Sequence, residues 1–331
     1  MTVSVNLARR STAAALGLVS ALVLAACANP SDGGTTEVAA TKGVGSGTKI
    51  NLSPDQNRVT TGKVDSIAAG LPAKIRERGT LEIVHSTGSA APLGFYATDN
   101  KTRIGVESDL AYLVSEVLGL RPDFHTVSWE NIFVGLDSAK YDVGFSNITV
   151  TEERKEKYDF ATYREDNLGF EAKKGSGLKI TGPKDVAGRT IAVGSGTNQE
   201  KLLVEWSKQD EKAGLKPVDI KYYQNDSDTY LALQSGRIDL YLGPNPTAAY
   251  HAASTGRTEV VGTYSGAGAT LQGLIAATTK KDSGLVKPLA AALDEIIENG
   301  TYGKVLKRWG LSDEAVAKSE INPPGLPRTN Q

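Results

Sequence analysis

Two short stretches of the chain carry groups that could bind an anion. Arg154 offers a guanidinium fork that matches the two oxygens of a carboxylate. It lies in the charged run 152–157, so a solvated surface charge is the alternative, and composition alone favours that alternative. Further along, Gly196-Thr197-Asn198 follows a predicted strand and opens a predicted helix, where free N–H groups and the helix dipole favour an anion. A plain helix cap is the alternative there.

The usual signatures of catalysis are missing from the sequence. No P-loop, GxGxxG or GxSxG motif occurs, and the three histidines lie far apart. A single cysteine excludes an intramolecular disulfide and a thiolate metal cluster. The 37 basic and 38 acidic side chains give a net charge of −1, which argues against nucleic acid as the main partner. We therefore predict no catalytic residue, no cofactor and no metal site.

The N-terminal residues have the features of an exported lipoprotein. Two arginines precede an apolar run, 13–26, that is too short to span a bilayer comfortably. The run ends in Leu-Ala-Ala followed directly by Cys27, which resembles a bacterial lipobox. That resemblance implies a signal peptide over 1–26 and a diacylglyceryl group on Cys27, with an ordinary secretory signal as the alternative. We expect an extracytoplasmic protein that a lipid on Cys27 anchors to the cell membrane.

The residues after the cysteine look like a tether. Residues 27–75 are predicted to form a lipid-anchored flexible linker, because the early part of this stretch is rich in Gly, Ser and Thr. No period of 2 or 3.6 is visible there, so no function is expected in it. A short helix is indicated at the end of this stretch, over 67–78.

Hydrophobic periodicity then predicts strands that alternate with helices. Apolar residues at 110, 113, 114, 117 and 118 lie on one face of a helix over 107–119. Similar patterns predict strands at 81–84, 124–127, 141–145, 190–193, 218–222 and 238–242, and helices that begin near 128, 198, 226, 285 and 302. This alternation indicates βαβ units and a mostly parallel sheet, in two α/β units that divide near residue 165.

The most informative stretch is 105–163. It contains the run Ser-Asn-Ile-Thr-Val-Thr-Glu-Glu-Arg over 146–154, followed by Tyr-Asp-Phe at 158–160. These residues, with Ser-Gly-Arg-Ile-Asp over 235–239, resemble the polar amino acid class (family 3) of bacterial extracytoplasmic solute-binding proteins, which deliver ligands to ABC importers. The resemblance covers about residues 75–315.

The resemblance implies a two-lobed α/β fold of the periplasmic-binding-protein type (type II). Each lobe would be a mostly parallel sheet flanked by helices, with two hinge crossings between the lobes and the ligand in the cleft. Lobe 1 would comprise 76–166 plus 273–331, and lobe 2 would comprise 167–272.

The resemblance also implies a ligand site on the first lobe. Arg154 would bind the ligand carboxylate. Asn147 and Thr149 would supply a main-chain carbonyl and a hydroxyl near the ligand amino group, with Ser146 as a further candidate. Strand-end capping is the alternative for Asn147 and Thr149.

Other contacts would complete that site. Thr197 and Asn198 would grip the same carboxylate from the second lobe. Trp129 would pack on the ligand, and Phe95 would form a second aromatic wall; core packing is the alternative for both rings.

One departure from the family pattern concerns the ligand ammonium. Pro244 stands where the family commonly has an acid, and the first strand has Ser86, Ser89 and Ala90 instead of an Asp and an aromatic residue. A buried unpaired ammonium is costly. Either another group supplies the negative charge, or the ligand is a derivative without a free α-ammonium.

We therefore expect a monomeric, lipid-anchored binding protein for a polar amino acid or a related small carboxylate, which docks onto an ABC permease. An enzyme on the same scaffold, such as a lyase or dehydratase of a small carboxylic acid, is the alternative, with Glu107, His85 and His125 as acid–base candidates. A ligand-sensing surface lipoprotein is a third interpretation.

Overall fold

The computed structural model describes residues 50–223 and 226–328, in which helices and strands alternate. The helices are α1 Asp65–Ala68, α2 Ala73–Arg78, α3 Val106–Leu118, α4 Trp129–Asp137, α5 Asn198–Lys212, α6 Asp226–Ser235, α7 Asn245–Thr255, α8 Val286–Glu298 and α9 Thr301–Trp309. The strands are β1 Thr80–Ser86, β2 Phe95–Tyr96, β3 Arg103–Ile104, β4 Arg121–Val127, β5 Val143–Gly144, β6 Tyr158–Lys173, β7 Thr190–Val193, β8 Asp219–Lys221, β9 Leu240–Pro244, β10 Thr258–Ser265 and β11 Gly273–Lys280. Within this described part, no helix combines the length and the apolar character needed to cross a membrane. The predicted signal peptide and Cys27 lie outside the described residues.

The predicted βαβ units form the outer parts of the sheet. Strand β1 pairs in parallel with β4 and β5, and β7 pairs in parallel with β8 and β9. Helix α3 packs on the sheet as predicted. Its apolar residues at i, i+3, i+4, i+7 and i+8 are all buried. It ends at Gly119, whose φ of +66° is the left-handed conformation that glycine adopts without strain.

The centre of the sheet is antiparallel, which differs from the predicted mostly parallel arrangement. The long strand β6 pairs with β11 as far as Asp166, and with β9 and β10 from Asn167 onwards. The chain returns between Ser265, which ends β10, and Gly273, which begins β11. These two crossings join the two lobes of a periplasmic-binding-protein fold. The lobe boundaries stay a prediction, which the switch in β6 pairing supports.

Each half of the sheet has its own apolar core. In the first, α3, α8 and α9 pack together, and Trp309 is 1% exposed. In the second, Phe170 stacks on Trp206 with 5.7 Å between ring centroids. Complete burial of such a side chain contributes about 1.5–3 kcal/mol. The cores hold each half together and leave polar loops at the strand ends between them.

The segment 50–75 is packed on the first half, in contrast to the flexible linker predicted for it. Arg58 forms an ion pair with buried Asp109 at 3.0 Å, and the Val64 N–H donates to the Val117 carbonyl at 3.0 Å. Apolar side chains of the segment also pack on the first core, although they follow no helical or strand period over its length: Ile50, Val59, Val64, Ile67, Leu71 and Ile75. The single helix predicted over 67–78 is two helices, since Pro72 stands before α2 and cannot continue α1.

Candidate functional site

A cleft lies where the carboxyl ends of the parallel strands meet the first turns of the helices. Its cavity volume is about 270 Å³, and residues from both halves of the molecule line it. Such an edge is where open α/β sheets bind ligands, because the loops there are free of the sheet's own hydrogen bonding. Five of the eight predicted ligand residues line the cleft, and they are Trp129, Ser146, Asn147, Thr197 and Asn198.

The loop after β5 forms the floor of the cleft. The Ser146 hydroxyl accepts a hydrogen bond from the Ser86 N–H at 2.8 Å, which joins the ends of β1 and β5. Asn147 has a φ of +52°, a left-handed conformation that asparagine tolerates better than most residues. Its side-chain oxygen accepts a hydrogen bond from buried Arg164. Asn147 can therefore bind a ligand through its main chain or its side-chain amide nitrogen.

Arg154 lies at the edge of the cleft, behind its lining. Its Nη1 donates to the Thr149 carbonyl at 2.9 Å, and its Nη2 donates to the Gly196 carbonyl at 3.3 Å. The guanidinium carbon is 5.3 Å from the ring centroids of both Trp129 and Phe133. Burial lowers the pKa of Arg154 to about 10, so it is charged at neutral pH. Among the described residues, the hydrogen-bond acceptors of this cation are neutral carbonyl oxygens. A carboxylate would bind the guanidinium more strongly than they do.

Thr149 and Asn198 direct their side chains to a buried acid that sequence analysis missed. The Thr149 hydroxyl donates to Asp166 at 2.7 Å, and the Asn198 amide donates to the same carboxylate at 3.0 Å. Asn198 also donates to the Gly266 carbonyl at 3.1 Å. Asp166 and Gly266 lie on the two crossings, so this group links both. Thr149 is fully buried and does not line the cleft, because its hydroxyl is bound to Asp166.

The turn before α5 combines a helix cap with a contact across the cleft. The Thr197 hydroxyl accepts from the Glu200 N–H at 3.2 Å, so Thr197 is the N-cap, the alternative interpretation of this residue. Gly196, with a φ of +71°, presents its carbonyl to the Trp129 indole N–H at 3.2 Å. The N–H groups of Thr197 and Asn198 begin α5, where backbone donors lack partners within the helix.

The two predicted aromatic walls have different positions. Trp129 lines the cleft and meets Phe133 edge to face, with 5.2 Å between ring centroids. Phe95 instead packs against the core of the first half, where its ring is perpendicular to Trp309 at 6.0 Å. The structure corrects this prediction: the apolar ring of Phe95 gains more from the core than from a polar cleft.

The second half contributes a wall that sequence analysis did not find. Tyr222, Tyr223, Asp226 and Tyr241 line the cleft there, next to Pro244. The only available signal was the position of Asp226 at the start of a predicted helix, which also fits an ordinary helix terminus.

The acid–base candidates of the enzyme alternative lie outside the cleft lining. Glu107 is buried and paired with Arg164 at 3.3 Å. His85 stacks on Phe124 with 5.3 Å between centroids, and burial lowers the pKa of His85 to about 3. His125 is hydrogen-bonded to Glu82 at 2.6 Å.

Strands β1 and β4 bring Glu82, Asp123 and His125 together away from the cleft. Their ligand-type atoms lie within 4.8 Å of one another. Arg78 and Arg121 pair with the two carboxylates at 3.7 and 3.6 Å. These cations compete with a metal ion, so we describe the group as an ion-pair cluster.

Comparisons with known proteins show the family and the fold. Residues 83–312 match the profile of the bacterial extracellular solute-binding proteins, family 3. The L-cystine-binding protein TcyJ of Escherichia coli is 32% identical over 74% of this chain and 87% of its own length. The arginine-binding protein ArgT of Corynebacterium glutamicum is 27% identical over 95% of this chain and 96% of its own. The solved structure of an ancestral arginine-binding protein bound to arginine, 29% identical, superposes with a TM-score of 0.60 over 70% of this chain and 98% of its own. These named relatives are binding proteins rather than enzymes.

Proposed function

Because the chain belongs to family 3 of the bacterial extracellular solute-binding proteins, we propose that its cleft binds an amino acid or a close derivative through the ligand's carboxylate. The relatives named for L-cystine and for arginine support this ligand class. The protein is thus an extracytoplasmic solute-binding protein, and the identity of its solute is the question that the site geometry addresses.

The observation that carries the proposal is the environment of Arg154. Its buried guanidinium has carbonyl oxygens from Thr149 and Gly196 as partners, and Gly196 belongs to the opposite half of the molecule. Each of these carbonyl oxygens accepts a hydrogen bond from the guanidinium, as an oxygen of a ligand carboxylate would. Three of the five N–H groups of the guanidinium are left over by these two bonds. A ligand carboxylate would neutralise the charge and add hydrogen bonds to the first turn of α5.

Thermal unfolding of purified residues 28–331 with a solute panel tests this proposal. The panel contains L-cystine, L-arginine, the other common L-amino acids, and amines without the carboxylate, such as agmatine and cystamine. A ligand at about a hundred times its Kd stabilises by about 2.7 kcal/mol. For a protein of this size that is a shift of roughly 2–4 °C per kcal/mol. We expect a shift from a carboxylate-bearing member and none from its decarboxylated analogue; equal shifts from both would contradict the proposal.

We also propose that a lipid on Cys27 anchors the protein and that the loaded protein delivers its solute to an ABC permease. The lipobox-like residues before Cys27 support the anchor, and the family resemblance supports the permease. Replacement of Cys27 by Ser should move the protein from the membrane fraction to the soluble fraction. A mutant that still sediments with membranes would contradict the anchor. Loss of solute uptake in cells that lack this chain, with recovery on complementation, is the expected result for import.

A further inference from the structure

The cleft wall of the second half is acidic and aromatic. Asp226 lies in it with Tyr222, Tyr223 and Tyr241, beside the uncharged Pro244. Among the described residues that line the cleft, the charged ones are Asp226 and Glu130, and none is Lys, Arg or His. The lining therefore carries negative charge that no lining cation neutralises.

The two acids differ in their positions. Glu130 is an exposed residue in the first turn of α4, where water screens its charge. Asp226 is half-buried at the start of α6, and burial raises the pKa of its carboxyl. A half-buried carboxylate gains much more from a cation than an exposed one does.

Behind Asp226 the opposite charge comes from His251, which is already paired with another acid. His251 influences it electrostatically, but the His251 Nδ1 is hydrogen-bonded to buried Glu171 at 2.5 Å. Tyr230 stacks on His251 with 3.5 Å between centroids, and Tyr241 meets Tyr230 edge to face at 5.9 Å. Glu171 adds a second negative charge to this group. The environment therefore favours a positive group on the cleft side of Asp226, where tyrosine rings can add cation–π attraction.

We infer that Asp226 forms a subsite for a cationic nitrogen of the ligand. This inference rests on the proposed function and makes it more specific, because the ligand would be a zwitterionic or cationic amino acid rather than a simple carboxylate. The carboxylate of such a ligand would bind at Arg154 and its ammonium or guanidinium nitrogen at Asp226. Asp226 would thereby supply the negative charge that Pro244 cannot supply.

Calorimetry with Asp226→Asn tests this subsite, with Glu130→Gln as the matched control at the other lining acid. The probes are L-arginine, L-cystine, L-citrulline, which lacks the side-chain charge, and Nα-acetyl-L-arginine, which lacks the α-ammonium. We expect Asp226→Asn to weaken a bound cationic probe at least tenfold, and Glu130→Gln to change it less than threefold. Asp226→Glu should recover part of the affinity, and unchanged thermal unfolding of the ligand-free variants would exclude misfolding.

The two neutralised analogues identify which nitrogen Asp226 binds. If wild type and Asp226→Asn bind L-citrulline with equal affinity, the partner of Asp226 is the side-chain cation of the ligand. If they bind Nα-acetyl-L-arginine with equal affinity, the partner is the α-ammonium. A wild-type protein that binds a probe with the same affinity as Asp226→Asn overturns the subsite and leaves the proposed function intact. A wild-type protein that binds none of the probes overturns the subsite, and if the full panel of carboxylates also fails, the proposed function falls with it.

Discussion

Two buried arginines near the cleft differ in how far the chain compensates their charge. Arg164 is paired with Glu107 at 3.3 Å and with Glu314, and it also donates to Asn147. Burial disfavours its charge, but the two carboxylates overcome this and raise the pKa of Arg164. Arg154 contacts carbonyl oxygens and aromatic rings, and burial lowers the pKa of Arg154 to about 10, although the carboxylate of buried Asp166 partly opposes this.

This difference is consistent with a structural role for Arg164 and with the proposed ligand-binding role for Arg154. The counter-charges of Arg164 are part of the chain, so folding alone compensates its charge. The charge of Arg154 is only partly compensated, so folding keeps a cation in a site where an anion from outside would be stabilised. Removal of the two side chains should therefore have opposite consequences for stability and for binding.

The largest expected effect is the destabilisation caused by Arg164→Met. It leaves Glu107 and Glu314 buried without their cation, and breaking such a pair costs about 3–5 kcal/mol. Urea unfolding of the ligand-free protein measures the loss. Arg121→Met, at an exposed arginine, serves as the control. A loss below about 1 kcal/mol for Arg164→Met would mean that the network contributes little to stability.

Arg154→Gln should mainly reduce binding. We expect at least a hundredfold weaker affinity for the amino acid that stabilises the wild type, which corresponds to about 2.7 kcal/mol. The unfolding free energy of the ligand-free protein should change by less than about 1 kcal/mol, or rise, because a partly compensated buried charge is removed. Calorimetry and urea unfolding measure the two quantities on one sample. Unchanged affinity would remove Arg154 from the ligand site.

The network around Arg164 should also make stability depend on pH. Burial raises the pKa of Glu314 from its ordinary 4.5 to about 7, although Arg164 opposes this. The folded state therefore binds more protons than the unfolded state between these values. This contribution to stability is complete below about pH 4.5 and is lost as the pH rises through about 7.

We expect the unfolding free energy to fall between pH 5 and pH 8, and Glu314→Gln to flatten that fall. Asp313→Asn, at the exposed neighbouring acid, should leave the slope unchanged. A slope that Glu314→Gln does not alter would assign the pH dependence to other buried acids, such as Glu107 or Asp166, whose pKa values burial also raises.

The smallest expected effect concerns an ion pair across the cleft. Lys201 of α5 pairs with Glu153, whose side chain is 64% exposed. Because exposed pairs contribute about 0–1 kcal/mol, Lys201→Met should change ligand affinity by less than about threefold. Lys208→Met, at an exposed lysine of the same helix, is the control. A larger loss of affinity that disappears in high salt would show that this ion pair contributes more to ligand binding than exposed pairs usually do.

The sequence predicted best where local patterns decide the structure. Helix α3 could be predicted because its apolar residues repeat with the helical period, and Gly119 marks its end. Strand β6 could not, because it is buried almost throughout and carries Arg164 and Asp166 in its interior. Local patterns indicate exposure for such charges, whereas the partners of Arg164 are 57 and 150 residues away in the chain.

The site was predictable to a similar extent. The motif around Arg154 predicted a carboxylate site, which remains a proposal, and the nearby candidates Ser146, Asn147 and Trp129 do line the cleft. Phe95 was assigned to the wrong environment because an aromatic residue after a turn has the same local pattern in a core as in a cleft. Asp226 was missed because an acid at the start of a helix has the same local pattern whether or not it lines a cleft.

The sequence by itself determined the alternation of helices and strands and the family, and it predicted an anion-binding role for Arg154. These follow from periodicity, turn residues and motifs, which act over a few residues. Only the tertiary structure decided that Arg164 is neutralised from within, that Arg154 is not, and that Asp226 faces the cleft. Charge compensation depends on distance in space, and the fold alone sets which distant residues come within a few ångströms of one another.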